Sequence, residues 1–155
     1  MGDGILVEPQ YRDVLVCVDG SKESWLALEH AVAAAHAFDA RLTLLTVVPE
    51  TPALIGPAPI SREQLVNEVQ REMYGALARA RDAVPADVSV RTLMKTGDAP
   101  ARIVETADEL GCDAIFLGTR GRGRIGALLG SVSHAVLHRA RVSVIVVRAP
   151  GDADA

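Results

Sequence analysis

Short runs of apolar residues alternate along this chain with stretches whose apolar positions recur at helical spacing. Val14 to Val18 (VLVCV) is unbroken, as in a strand buried on both faces. Ser21 follows as an N-cap, and Trp25, Leu28, Val32 and Ala35 return to one side of a predicted helix. Leu42 to Val48 (LTLLTVV) is a second buried strand. Four prolines and a glycine between Pro49 and Pro59 make a long loop. Ser61 and Gln64 then form a capping box for a helix burying Leu65, Val69, Met73 and Leu77. Val88 to Lys95 (VSVRTLMK) alternates, which predicts a less buried strand. Asp98 and Pro100 open a third helix, with Ile103, Val104, Ala107 and Leu110 inward and Gly111 as its stop. Ala114 to Leu117 is the fourth strand. A loop rich in glycine and arginine leads to a helix from about Gly130 to Arg139, and Val142 to Val147 (VSVIVV) is the last strand.

Strands that alternate with helices imply parallel βαβ units. The expected fold is therefore α/β: one open, parallel five-stranded sheet, Rossmann-like, with helices on both faces. Residues 1–11 read as an irregular leader, 12–149 as the domain and 150–155 as a flexible tail. A chain of 155 residues, 49% apolar, is long enough for one such core.

Composition narrows the function classes. Sixteen basic and 20 acidic residues give a net charge of −4, and aromatics are only 3%. That balance argues against a general nucleic-acid binder and against a stacking platform for single strands. No apolar run approaches the ~20 residues of a membrane span. The start, MGDGILVEPQ, lacks a signal-peptide pattern, and Leu6 breaks the myristoylation pattern. The chain reads as cytoplasmic, with no membrane partner. Cys17 and Cys112 do not make a disulfide framework; on neighbouring parallel strands their sulfurs would lie too far apart to bridge.

The charge is unevenly placed. Residues 118–148 hold six arginines and no acid, while the remainder holds 10 basic and 20 acidic residues. Within that stretch lies GTRGRGRIGALLGSVS, residues 118–133, between a buried strand and a helix. Its glycines let backbone approach a ligand, and the helix start offers free N–H groups and a positive dipole end. With the Ser131 hydroxyl and Arg120, Arg122 and Arg124, these parts describe a phosphate cradle. The bland reading is a tight turn beside a solvated basic face.

Other glycine motifs do not fit. A P-loop needs Gly-Lys-Ser/Thr, and this segment has no lysine. A dinucleotide fingerprint belongs to a first βα turn with an acid about 20 residues on, where Arg139 and Arg141 stand here. Asp19 ends the first strand inside Asp-Gly-Ser, itself a plain turn and cap. In an open sheet of order 3-2-1-4-5, however, strands one and four flank the switch point, and Asp19 and Gly118 face each other across one crevice. Asp19 could there meet a ribose hydroxyl or a cation on the phosphates. His134 and His138 stand four apart without an evident third metal ligand. No nucleophile–base pair, paired carboxylates or serine elbow is visible, and Lys95 and Thr96 occupy the place of a receiver-domain acid.

Three segments together resemble the universal stress protein family: VLVCVDGSKES, KTGDAPARIVETADELGCDAIFLGTRGRG and LLGSVSHAVLHRARVSVIVV. The ATP-binding branch carries G-x2-G-x9-G-S/T. Gly118, Gly121, Gly130 and Ser131 resemble it, with eight rather than nine residues between Gly121 and Gly130. The resemblance implies ATP, with Asp19 by the ribose and phosphates, where a cation on the phosphates would be Mg. It implies adenine on the Val47 backbone, ribose by Gly118, and phosphates on Gly121, Gly130, Ser131 and Val132, with Arg120 and Arg122 beside them. It also implies a homodimer through Val142 to Val147. The function read from all this is a nucleotide-gated stress-response module. The alternatives are a slow ATPase or nucleotidyl transferase with Asp19 holding a metal, and an ATP-free dimer module.

Overall fold

The computed structural model describes residues 9–50, 61–119 and 129–150. The elements in chain order are β1 (Asp13–Cys17), α1 (Lys22–Phe38), β2 (Arg41–Val48), α2 (Arg62–Ala83), β3 (Val90–Thr96), α3 (Ala99–Leu110), β4 (Ala114–Gly118), α4 (Ser131–Arg139) and β5 (Ser143–Val147). All strand pairs are parallel, and the order is β3-β2-β1-β4-β5. The Rossmann-like α/β expectation is met, including the strand order.

Alternation along the strands splits the core in two. Val14, Val16, Leu42 and Leu44 face Ala27, Leu28, Ala31, Ala76 and Leu77 of α1 and α2. Leu15, Leu45, Ile115 and Leu117 face Ile103, Ala107 and Val136 of α3 and α4. Both faces of β1 are thus fully buried, which is why its sequence shows no polar alternation. Each such Val or Leu contributes roughly 1.5–3 kcal/mol by leaving water.

Several expectations shift. Trp25 does not face the core: it is 41% exposed. The buried stripe of α1 is Ser24, Ala27, Leu28, Ala31 and Ala35, one of small residues that lets the helix lie close to the sheet. Leu65 and Val69 are only half-buried, because the buried part of α2 begins at Met73. The third strand begins at Val90, not Val88; it is half-buried, as its alternation predicts, and stands at one edge of the sheet. Cys17 and Cys112 are free thiols. No helix among the described residues is long and apolar enough to cross a membrane.

Candidate functional site

At the carboxyl edge of the sheet, β1 leads to α1 on one face and β4 leads to α4 on the other. The neighbouring strands β1 and β4 therefore part in opposite directions and leave a crevice. A cleft of about 950 Å³ lies there. Asp19, Val47, Gly118, Gly130, Ser131 and Val132 all line it, although they come from four separate parts of the chain. Arg120, Gly121 and Arg122 lie outside the described residues, as do Arg124, Gly123 and Gly126.

The Asp19 turn is both structural and cleft-lining. Its Oδ1 accepts the Ser21 N–H at 2.9 Å, and Gly20 takes φ +85°, which a glycine permits. The carboxylate thereby stands at the cleft wall with its turn already formed. Val47 lines the cleft near the end of β2. The Leu45 carbonyl accepts the Val18 N–H on the β1 side, so alternation turns the Val47 N–H and C=O to that same side, beyond the end of β1 at Cys17.

Gly118 has a packing reason of its own. A Cβ there would lie 2.6 Å from Glu23 Cβ and 2.7 Å from the Glu23 backbone carbon. The first turn of α1 rests directly on the end of β4, and only glycine admits that approach.

The helix starts differ in a way that bears on anions. Ser21 accepts the Ser24 N–H, Ser61 accepts the Gln64 N–H in the capping box, and Asp98 accepts the Ala101 N–H. At α4 the N-cap is Gly130, which makes no side-chain cap bond. The first-turn N–H groups of α4 are thus not taken up by an N-cap side chain, and Ser131, Val132 and Ser133 around them line the cleft. The Ser133 hydroxyl is buried and sits 3.0 Å from the Thr119 carbonyl, which also accepts the Gly130 N–H at 2.6 Å. Thr119 N–H in turn donates to Val147 O at 2.9 Å. These bonds tie the start of α4 to the ends of β4 and β5.

Among the described residues lining the cleft, the ionisable groups are Cys17, Asp19, Glu50, Glu72 and Asp98. Burial, and then the Asp19 carboxylate, push the Cys17 thiol far up, so it stays protonated near neutral pH. Glu50, Glu72 and Asp98 were not legible as cleft residues. The only signal for them was position, since Glu50 and Asp98 each follow the carboxyl end of a strand by two residues. Among the described residues no group of three or more His, Cys, Asp or Glu could hold a metal. His134 and His138 face each other edge to face, with ring centroids 5.3 Å apart.

Fold and cleft together define an open α/β domain with its cleft at the topological switch point. The chain belongs to the universal stress protein family, whose model matches residues 10–148. A universal stress protein of Methanocaldococcus jannaschii is 34% identical over 145 residues, covering 92% of this chain and 85% of the relative. The solved universal stress protein of Lactobacillus plantarum superposes with a TM-score of 0.70 at 25% identity, covering 91% of this chain and all of the other. A universal stress protein solved in complex with cAMP gives 0.68 at 28% identity, covering 90% of this chain and 98% of the other.

Proposed function

We propose that this protein is an ATP-binding universal stress protein that acts as a nucleotide-gated module in a stress response. The observation that carries the reading is the N-terminus of α4. It alone of the four described helices has no side-chain cap bond, and it borders the cleft that Asp19 lines. A phosphate would complete the capping that Gly130 leaves undone. The Val47 backbone offers a donor and an acceptor suited to a purine edge. The family relative that binds cAMP supports an adenine nucleotide as the class of ligand.

The residues also fit magnesium on the phosphates. Carboxylate oxygen is the donor that Mg²⁺ prefers, and Asp19 would hold the ion together with phosphate oxygens. Bound there, the ion would supply charge neutralisation for the phosphate chain. Asp19 orients through its bond from Ser21, and Gly130 keeps the phosphate volume clear. Binding rather than turnover is the favoured role, since burial and the Asp19 carboxylate keep the Cys17 thiol of the cleft protonated and so a poor nucleophile. The edge strand β5 is the proposed homodimer seam, because its outer edge needs a partner or a cover.

Titration calorimetry with ATP and magnesium tests the reading. Saturable binding at one site per chain is expected, and no heat at millimolar ATP would sink it. Gly130 has φ −71° and ψ 163°, open to any residue, so Gly130→Val is expected to fold. Its branched side chain should nevertheless abolish ATP binding.

A further inference from the structure

The outer face of α4 carries ionisable groups that the nucleotide reading leaves unused. Ser131, His134, Ala135, His138 and Arg139 line a shallow, open surface depression beside the main cleft. Ser131 and Ala135 also line the main cleft, so the depression and the cleft adjoin. The spacing returns these positions to one side of the helix, and His134 and His138 are exposed. Arg139 Nη1 lies 3.8 Å from Asp98 Oδ2, which draws the guanidinium toward the main cleft that Asp98 lines.

Among the described residues, the charged groups packed against this face of α4 come from α3 and its cap. From α3 the facing group is Asp98, paired as just described. Arg102 of the same helix pairs with Glu105, Glu109 pairs with Lys95, and Asp108 stands in its last turn. The other neighbour, β5 (SVIVV), carries no ionisable group.

A histidine pair of this spacing could take a cation or an anion. Arg139 beside it opposes a divalent cation, and the described residues offer no third ligand. A phosphate suits the set better: guanidinium, imidazolium and hydroxyl all donate to its oxygens. From residue 131 to residue 138 the helix rises about 10 Å, so a single phosphate at Ser131 does not reach His138.

We propose that Ser131, His134, His138 and Arg139 form a second phosphate subsite for the distal end of a polyphosphate chain whose proximal phosphate caps α4. The inference rests on the nucleotide reading for the proximal phosphate only. An imidazole donates from both nitrogens when protonated, so binding takes up protons. Affinity for long phosphate chains then rises as pH falls through the imidazole range.

NMR of the two imidazoles in the full chain between pH 5 and 8 tests this, with ATP, AMP and inorganic tripolyphosphate as probes. ATP and tripolyphosphate should move both titrations to higher pH by about half a unit or more, while AMP leaves them in place. The double variant His134→Gln, His138→Gln should bind ATP at pH 6 about five-fold more weakly or worse, with AMP affinity unchanged. The proposal is overturned if ATP binds without moving either ring, or if the double variant matches the wild type at pH 6. It is also overturned if Zn²⁺ moves the rings and tripolyphosphate does not. If tripolyphosphate moves the rings while no adenine nucleotide binds, the subsite stands and the nucleotide reading falls. If neither probe moves them, the subsite falls whatever the cleft binds.

Discussion

Two glycines of one motif act in opposite ways. Gly118 is held by packing against Glu23, whereas Gly130 has ordinary dihedrals and an uncapped helix behind it. Gly118→Ala should therefore cost about 1–3 kcal/mol of stability, read as a fall of several degrees in Tm. Gly130→Val should cost only about 1 kcal/mol, the scale of a poor N-cap, and lose ATP instead. Equal Tm for the two variants would contradict the distinction. The cysteines give a pH signature. Burial first, then the nearby Asp13 carboxylate, push the Cys112 thiol up to about 11 from 9.0. A thiol held neutral in the fold stabilises at all pH below its unfolded value. That contribution is lost as pH rises through the folded one. Denaturant midpoints should hold up to about pH 9 and fall between 9 and 11, less so in Cys112→Ala. A thiol reagent at pH 8 should label neither cysteine quickly until denaturant is added.

At the level of elements, most of the fold could be read from the chain because the strands are apolar runs and the caps are explicit. Ser61→Ala removes the donor–acceptor exchange with Gln64 and should cost about 1 kcal/mol in urea unfolding. The readings that failed have separate physical causes. Weighting large side chains picked Trp25 for the inner stripe of α1, but close helix–sheet approach selected Ala27, Ala31 and Ser24. In α2, Leu65 and Val69 kept their helical spacing yet stayed half-buried, with Val69 on the cleft wall. The site was legible where a motif marked it: Asp19, Gly118, Gly130 and Ser131 all reach one cleft. Glu72 on α2 reaches the same cleft by tertiary packing, and no local pattern could announce it.

Across the whole molecule, the sheet has two edges of different character. The β3 edge carries Arg91 and Lys95, charges that discourage strand pairing, while β5 offers only serine and branched apolar residues. A dimer through β5 is the expected assembly, and Val146→Lys should convert it to a folded monomer by sedimentation analysis. A wild type that sediments as a monomer at tens of micromolar would exclude that seam. The knot of bonds at Thr119 carries one more consequence. Its carbonyl accepts the Gly130 N–H, so the segment between them leaves and re-enters the fold at nearly the same point. The closure of that stretch is thus already fixed at its two described ends, Thr119 and Gly130. Shortening the stretch between Gly121 and Gly130 from nine residues to eight changes the closure entropy by only ~0.1 kcal/mol. Loop length at this site is thus nearly free thermodynamically. Inserting one residue between Gly121 and Gly130 is therefore expected to leave the Tm nearly unchanged in thermal unfolding, whatever it does to ATP affinity in calorimetry.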